Sequence, residues 1–351
     1  MDHSLTNTIN VLMTGAGAPG AAGIIACLHA DPIVSLTVAD ANEHAVGRYL
    51  NNRFYQIPAA ADADFIEKIL AICAKENIQV IMPLVTRELF VFAANIEQFN
   101  QLGIRVLLSD SEALHIANNK SSLLQFLQAK SIATPAFRVV NSLQAFKNAL
   151  TDLGYPAKTV CFKPSVANGS RGFRILSSQQ NDFDLLFNQK PNSTYISFEK
   201  IIEIYTQYEK EFPEILVSEY LPGEEYSVDC LANQGECVIA LPRLRSIMRE
   251  GISIAGVFEQ QLEIIAYCQQ IISAIKLHGN IGIQVKRAED GSFKILEINP
   301  RVQGTIVAAM GAGVNLPLLA VKQAMQMPID PTAIPIKWGT RFIRYYQEVY
   351  Y

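Results

Sequence analysis

Histidine and cysteine are sparse in this chain and poorly spaced for metal or redox chemistry. Its 351 residues hold five histidines (3, 29, 44, 115 and 278) with no ligand spacing, and six cysteines (27, 73, 161, 230, 237 and 268) with no CxxC pair. Most of the cysteines lie inside apolar runs, so buried free thiols in a reducing compartment are expected. No Ser-His-Asp or Cys-His arrangement is recognisable. Charge is also scarce: 18% of residues are charged, the net charge is −4 and no basic block occurs, which argues against a nucleic-acid surface. Long apolar runs are missing. The most apolar late stretch, "IVAAMGAGVNLPLLAV", is interrupted by Asn315 and Pro317 and is too short to span a bilayer. The opening "MDHSLTNTIN" is polar and lacks the basic and apolar regions of a signal peptide. A cytoplasmic protein with no membrane partner is expected. No internal repeat or low-complexity segment appears. Half of the residues are hydrophobic, enough for a large buried core, and the length suggests two or three domains.

The pattern along the chain begins with apolar strands alternating with helices. "INVLMTG", "VSLTVAD", "QVIMPLV" and "IRVLLSD" read as four strands, separated by "AAGIIACLHA", "DADFIEKILAICAKENI" and the single helix "ELFVFAANIEQFNQLG". That alternation predicts a parallel α/β sheet closing near residue 110. Two short helices follow, the second over about Lys120–Lys130. Then come a strand after "TPAF", the helix "SLQAFKNALTDLG", and a hairpin of "TVCFKPS" and "GFRILS" with the glycine-rich tip "VANGSRG". Residues 183–213 read as helix plus loop. "EILVSEYLPG" and "EEYSVDCLANQGECVIALPRLRS" predict antiparallel strands, "FEQQLEIIAYCQQIISAIKLHG" a long helix, and "NIGIQVKRAEDGSFKILEINPR" a hairpin turned at Asp290-Gly291.

Several of these pieces carry chemistry. In the last hairpin, a two-residue turn sets Gln284 opposite Glu297, with Asn299 on the same face by alternation. Oxygen ligands of this kind suit Mg²⁺, which keeps waters and leans on phosphates; a solvent-facing polar strand is the plainer reading. Arg301 follows, suited to a phosphate oxygen. Lys163 sits in an apolar strand, where an ammonium needs an anionic partner. Asn168, Gly169, Ser170 and Gly172 offer unhindered backbone N–H groups that can fold over phosphates, although on this stretch alone an ordinary hairpin turn with a surface lysine is the better reading. Ser218, Glu219, Tyr220 and Leu221 can form a hinge whose backbone meets an adenine edge, and Glu225 can accept ribose hydroxyls. "PLVTRE" sets Thr86, Arg87 and Glu88 at a strand's carboxyl end, where ligands of open α/β sheets bind; Arg87 is the candidate for a substrate carboxylate. Finally, Gly15, Gly17 and Gly20, with Asp40 twenty residues further on, have the spacing of a dinucleotide-binding fingerprint.

Taken together, "NNKSSLLQFLQAKSIATP", "FKPSVANGSRG", "SEYLPGEEYSVD" and "IQVKRAEDGSFKILEINPR", in that order, resemble the ATP-grasp superfamily, in particular its carbamoyl-phosphate-synthase-like carboxylate–amine ligases. The resemblance covers about residues 1–330. It implies a mixed α/β and α+β chain: a Rossmann-like N-terminal domain (1–110), then a two-lobed ATP-grasp domain with an N-terminal lobe (111–217) and a C-terminal lobe carrying the metal site (218–351). It implies that Lys120 and Lys163 contact nucleotide phosphates, that Ser218–Leu221 hold adenine and that Glu225 holds ribose. Gln284, Glu297 and Asn299 would ligate two Mg²⁺, with Mn²⁺ as a substitute. Gln284 stands where family members often carry an acid, although the carbamoyl-phosphate branch also uses glutamine. Arg301 and Arg243 would steady the transferred phosphoryl group. The implied activity is ATP-dependent joining of a small-molecule carboxylate to an amine or thiol through an acyl-phosphate, in a chain that can dimerise. It also implies a glycine turn without NAD. The competing readings are an NAD(P)-dependent oxidoreductase built on Gly15–Gly20 and a non-catalytic nucleotide-binding protein.

Overall fold

A computed structural model describes residues 8–166, 172–179, 194–249 and 251–351. Three sheets organise them. The first is parallel: β1 (Ile9–Thr14), β2 (Val34–Asp40), β3 (Phe54–Gln56), β4 (Val80–Pro83) and β5 (Arg105–Val106), in the order β3-β2-β1-β4-β5. The near-continuous apolar run of β1 fits a strand covered on both faces, and α1 (Ala21–His29), α2 (Gly47–Leu50), α3 (Phe65–Glu76), α4 (Thr86–Ala94) and α5 (Ile96–Gln101) connect the strands. Four strands were expected and five are present, because the short edge strand β3 has too little apolar sequence to announce itself. The expected helix over "ELFVFAANIEQFNQLG" is two helices. Asn95 leaves helical geometry (φ −115°, ψ 16°) and its side-chain amide bonds the carbonyl of Val91 at 2.9 Å.

The second sheet is antiparallel: β6 (Phe137–Val140), β7 (Val160–Pro164), β8 (Arg174–Leu176) and β9 (Ile215–Glu219), in the order β6-β9-β7-β8. Helices α6 (Ser111–Asn118), α7 (Lys120–Ala129), α8 (Leu143–Asp152) and α9 (Phe198–Gln207) accompany this stretch of chain. Ser218 and Glu219 pair with Phe137 and Val160, so the chain leaves this sheet after Glu219, slightly beyond the expected boundary at 217/218. Helices α6 and α7 bury Ala113, Leu123 and Leu127 in a core shared with the third sheet, which Phe137 and Leu216 of the second sheet also join.

The third sheet holds β10 (Glu225–Asn233), β11 (Glu236–Arg249), β12 (Ile252–Phe258), β13 (Gly279–Arg287), β14 (Phe293–Asn299) and β15 (Arg341–Ile343), in the order β14-β13-β10-β11-β12-β15. Strand β12 was not foreseen; it takes the start of the segment expected as a long helix, and α10 begins at Leu262 (Leu262–Ile275). One face of this sheet is apolar, with Tyr226, Val228, Ile281, Ile283, Ile295 and Ile298 packed on α6, α7 and α10. The alternate residues Glu225, Ser227, Gln284, Glu297 and Asn299 lie on the other face. The first and third sheets share one core: Met13, Ile24 and Val38 cluster with Leu241, Phe258, Val302, Ile306 and Leu316 of α11 (Leu316–Ala324). Five of the six cysteines are buried, Cys237 is half-buried, and none forms a disulfide.

Candidate functional site

The β13–β14 hairpin sets the register of the site by two compensating departures. The turn is three residues long rather than two: the amide of Ala288 donates to the carbonyl of Ser292 (2.8 Å) and Gly291 takes a left-handed φ of 86°. Arg287 therefore faces Phe293, and Val285 faces Ile295. A bulge at Leu296 then adds one residue to β14, and beyond it Gln284 faces Glu297 and Gly282 faces Asn299. Without the bulge Glu297 would share the face of Phe293 and Ile295 and point into the apolar layer. With it, Glu297 and Asn299 join Gln284 on the opposite face.

Two lysines arrive from the second-sheet side. Asn119 caps α7 through the amide of Ser122 (3.0 Å), the amide of Lys120 donates to the carbonyl of Ser165 (2.9 Å), and the hydroxyls of Ser121 and Ser165 meet at 2.6 Å. These bonds hold the start of α7 against the end of β7. Lys120 Nζ lies 3.5 Å from Glu297 Oε2. Lys163 Nζ donates to the carbonyl of the bulged Leu296 at 3.1 Å. Burial pushes the Lys163 ammonium below its ordinary pKa; the charge of Glu297 opposes this and that of Lys120 adds to it. Two cations face one carboxylate, an arrangement suited to polyanionic phosphate. Asn168, Gly169 and Ser170 lie outside the described residues. Gly172 is at φ 75°, and a Cβ there would sit 2.6 Å from Pro164 Cδ.

At the crossing between the second and third sheets, Ser218 and Leu221 are buried. The carboxylate of Glu219 accepts from the amide of Ala136 (2.8 Å) and from Lys294 Nζ (2.8 Å), so its side chain is structural. Tyr220 is half-buried, with Lys286 Nζ 5.1 Å from its ring. Among the described residues, the backbone N–H and C=O of Tyr220 and Leu221 make no hydrogen bond. That leaves donors and acceptors for the edge of a base.

The arginines are distributed differently from expectation. Arg243 is fully buried; Nε donates to Asp229 Oδ2 (3.0 Å) and Nη2 to Thr305 Oγ1 (3.0 Å), while Asp229 Oδ1 accepts from Gln303 (2.6 Å). Strand register sets it three strands from Glu297, along the row Arg243, Ser227, Gln284, Glu297. At about 4.8 Å per strand this separates the backbones by about 14 Å, so the structure does not bring Arg243 beside the phosphoryl-transfer residues. Arg245, two residues on and on the same face, was overlooked. It ion-pairs with Glu225, donates to Gln284 Oε1 at 3.4 Å, and also bonds Ser253 and the carbonyl of Gly251. The alternation in "LPRLRS" was the signal for it. Arg301 Nε donates to Thr86 Oγ1 (3.0 Å) and Nη1 to the carbonyl of Val302 (2.9 Å); burial lowers its pKa and the charge of Glu297 opposes that. Arg87 is exposed, with no hydrogen bond or ion pair among the described residues.

Among the described residues no cluster of three or more His, Cys, Asp or Glu side chains forms a metal cage. The patch supplies one carboxylate, Glu297, and two amides, Gln284 and Asn299. This donor set fits a Mg²⁺ that draws its remaining oxygens from phosphate and water. The guanidinium of Arg245 beside Gln284 disfavours a second ion there.

The glycine turn is closed off. A Cβ on Gly20 would run into the backbone of Gly304, and one on Gly304 into the carbonyl of Pro19. Both carboxylate oxygens of Asp40 accept from backbone amides, Gly17 (2.7 Å) and Asn42 (2.8 Å). The fingerprint is thus used for packing against the 301–305 loop. Nearby, Thr14 Oγ1 donates to Glu88 Oε2 at 2.6 Å. Burial pushes the Glu88 carboxyl up to about 7, the Thr14 bond opposing and the charge of Asp40 adding to it.

A parallel α/β sheet followed by two antiparallel sheets, with a lysine pair facing an acid-amide patch, is the architecture of the ATP-grasp class. Residues 211–343 match the family model described as an ATP-grasp in the biosynthetic pathway with Ter operon, and residues 11–107 match the PylC-like N-terminal domain. An ATP-grasp match thus lies behind a PylC-like one along the chain. It is 24% identical over 246 residues to the carbamoyl phosphate synthase large chain of Methanothermobacter thermautotrophicus, a match over 65% of this chain and 21% of that one. It therefore spans about a fifth of that relative's length. Among solved structures, its fold is similar to an N5-carboxyaminoimidazole ribonucleotide synthetase in complex with ADP (TM-score 0.69, 13% identity, 94% of this chain and 80% of that one). The Campylobacter jejuni biotin carboxylase is comparable (0.67, 16%, 94% and 74%), as is an L-amino acid ligase of Bacillus licheniformis (0.63, 15%, 94% and 78%). Among the described residues no helix is long and apolar enough to cross a membrane.

Proposed function

We propose that this protein is an ATP-dependent carboxylate–amine ligase that works through an acyl-phosphate and releases ADP and phosphate. The observation that carries the reading is the approach of Lys120 and Lys163, on the second-sheet side, to Glu297 and the Leu296 carbonyl of the third sheet. ATP is the co-substrate. Its triphosphate lies between the two lysines and the Gln284–Glu297–Asn299 patch. The unbonded backbone of Tyr220 and Leu221 meets the adenine edge, and the oxygen of Glu225 not engaged by Arg245 meets the ribose. Mg²⁺ on Glu297, when bound, supplies charge neutralisation at the phosphates.

A substrate carboxylate oxygen attacks the γ-phosphorus and the bond to the ADP oxygen breaks. Lys163, Lys120 and Arg301 offset charge on the phosphoryl oxygens. An amine then attacks the acyl carbon and phosphate leaves. A thiol acceptor would follow the same course. Exclusion of water protects the acyl-phosphate from hydrolysis, a task suited to a glycine-rich loop.

The test is calorimetric binding of ATP with Mg²⁺ or Mn²⁺, followed by ADP release with small carboxylates and amines, hydroxylamine serving as a trap for the acyl-phosphate. Glu297→Gln is expected to abolish ADP release while the fold is retained. Full turnover in that variant, or affinity for NAD(P) in place of ATP, would overturn the reading.

A further inference from the structure

We infer that the carboxyl end of the sheet, where β1 and β4 lie side by side, is a cation site in which Glu88 binds the ammonium group of the nucleophile and accepts its proton. The inference rests on the ligase reading above and assigns the second substrate a chemical class and a place.

The strand order β3-β2-β1-β4-β5 means that the chain leaves β1 toward one edge of the sheet and β4 toward the other. Ligands of open α/β sheets bind outside the carboxyl ends of the strands at such a switch point. Thr14 ends β1, and Glu88 lies in the first turn of α4, just past β4. Glu88 is only 6% exposed. One of its oxygens, Oε2, is held by Thr14, whereas Oε1 makes no hydrogen bond among the described residues and is not sealed from solvent. A nearly buried carboxylate with one free, reachable oxygen is an acceptor waiting for a donor.

The surroundings favour a positive donor. Asp40, at the end of β2, adds a second negative charge. On α4 itself, Arg87 is exposed. From the 301–305 loop, the Arg301 guanidinium is already bonded to Thr86 and to the Val302 carbonyl. On α6, His115 lies against the Phe90 ring, 5.0 Å between centroids. None of these pairs with Glu88. An anion at the start of α1 is disfavoured by the same two carboxylates and by the Gly304 backbone packed on Gly20. Arg301 links this end of the sheet to the phosphate region, with Thr86 at its guanidinium and the charge of Glu297 within its influence.

The chemistry balances. A primary amine arrives as R–NH₃⁺ and gives one proton to the Glu88 carboxylate. The freed lone pair forms the N–C bond as the acyl C–O bond to phosphate breaks. The second nitrogen proton leaves with the phosphate as HPO₄²⁻. Burial of Glu88 raises its basicity toward neutral pH, where such a transfer is efficient.

The test uses the full chain and ethylammonium as the probe, with tetraethylammonium and acetate as comparisons, read by saturation-transfer NMR between pH 6 and 8. Ethylammonium binding should strengthen about tenfold over that range, following ionisation of a carboxyl near pH 7. Glu88→Gln should abolish the binding. Thr14→Val should move the pH midpoint upward, and it keeps the question open to measurement if Glu88→Gln fails to fold. Equal ethylammonium binding in folded Glu88→Gln, no pH dependence, or preferential binding of acetate or tetraethylammonium would overturn the inference. MgATP binding by the unaltered protein is measured alongside: its loss overturns the ligase reading, whereas its presence with a flat ethylammonium profile overturns the Glu88 assignment alone.

Discussion

Replacing Glu88 with glutamine isolates the cost of one buried charge. In the unfolded chain this carboxyl titrates near its ordinary 4.5; in the folded protein burial raises it to about 7. Between those values the folded state holds the proton more tightly, so stability falls as pH rises through the window and the loss is complete above about pH 7. At about 1.4 kcal/mol per pH unit, the interval amounts to about 3 kcal/mol. Glutamine preserves the shape and an acceptor for Thr14 but never ionises. Glu88→Gln is therefore expected to match the parent near pH 4.5 and to exceed it by up to about 3 kcal/mol at pH 8. Urea unfolding of both proteins at four pH values is the assay, and the gap corresponds to about 1 M or less in midpoint, since the urea slope rises with chain length. Taking the difference between the two cancels every other titrating group. A gap that does not change with pH, or one of opposite sign, would refute the argument that Glu88 carries its charge at a cost in the fold.

Lys163→Met should weaken MgATP binding about 10- to 100-fold, the range of a lost charge-assisted hydrogen bond, without destabilising the ligand-free protein, because the ammonium is held there at a desolvation cost; calorimetry and thermal unfolding read the two effects. Deletion of Leu296 should remove the bulge yet leave Glu297 directly after Ile295, on the polar face opposite Gln284 by plain alternation. MgATP binding should then survive, read by calorimetry, and a folded deletion variant that no longer binds MgATP would contradict the proposed register dependence. Gly304→Ala should cost about 1–3 kcal/mol through overpacking against Pro19, visible as a lowered melting temperature.

The sequence was most legible where local pattern and tertiary environment agree. Strand β1 is apolar along nearly its whole length and could lie only in a covered parallel sheet. Asn119 before Lys120 and Asp110 before Ser111 mark helix starts that the structure caps with those same side chains. The hairpin shows a subtler case. The opposition of Gln284 and Glu297 was anticipated from a two-residue turn, yet it arises from a three-residue turn plus a bulge. The spacing of Phe293, Ile295 and Ile298, two residues and then three, was the available sign. Strand β12, the break at Asn95 and the partnership of Arg245 with Glu225 had weaker local signals, since each depends on what the rest of the chain brings alongside.

By itself the sequence determined the types of group on offer and their order: two lysines, a glycine-rich tip, a hinge, and an acid with two amides beside an arginine. Those are set by covalent identity and by short-range periodicity. Only the tertiary structure decided which of them meet. Arg243 was drawn into a buried pair with Asp229 while Arg245 took the place beside Glu225 and Gln284. The fingerprint glycines closed on Gly304. Glu88 was left with one oxygen free at a switch point. Such outcomes depend on packing between segments distant in sequence, where burial and neighbouring charge set both geometry and protonation.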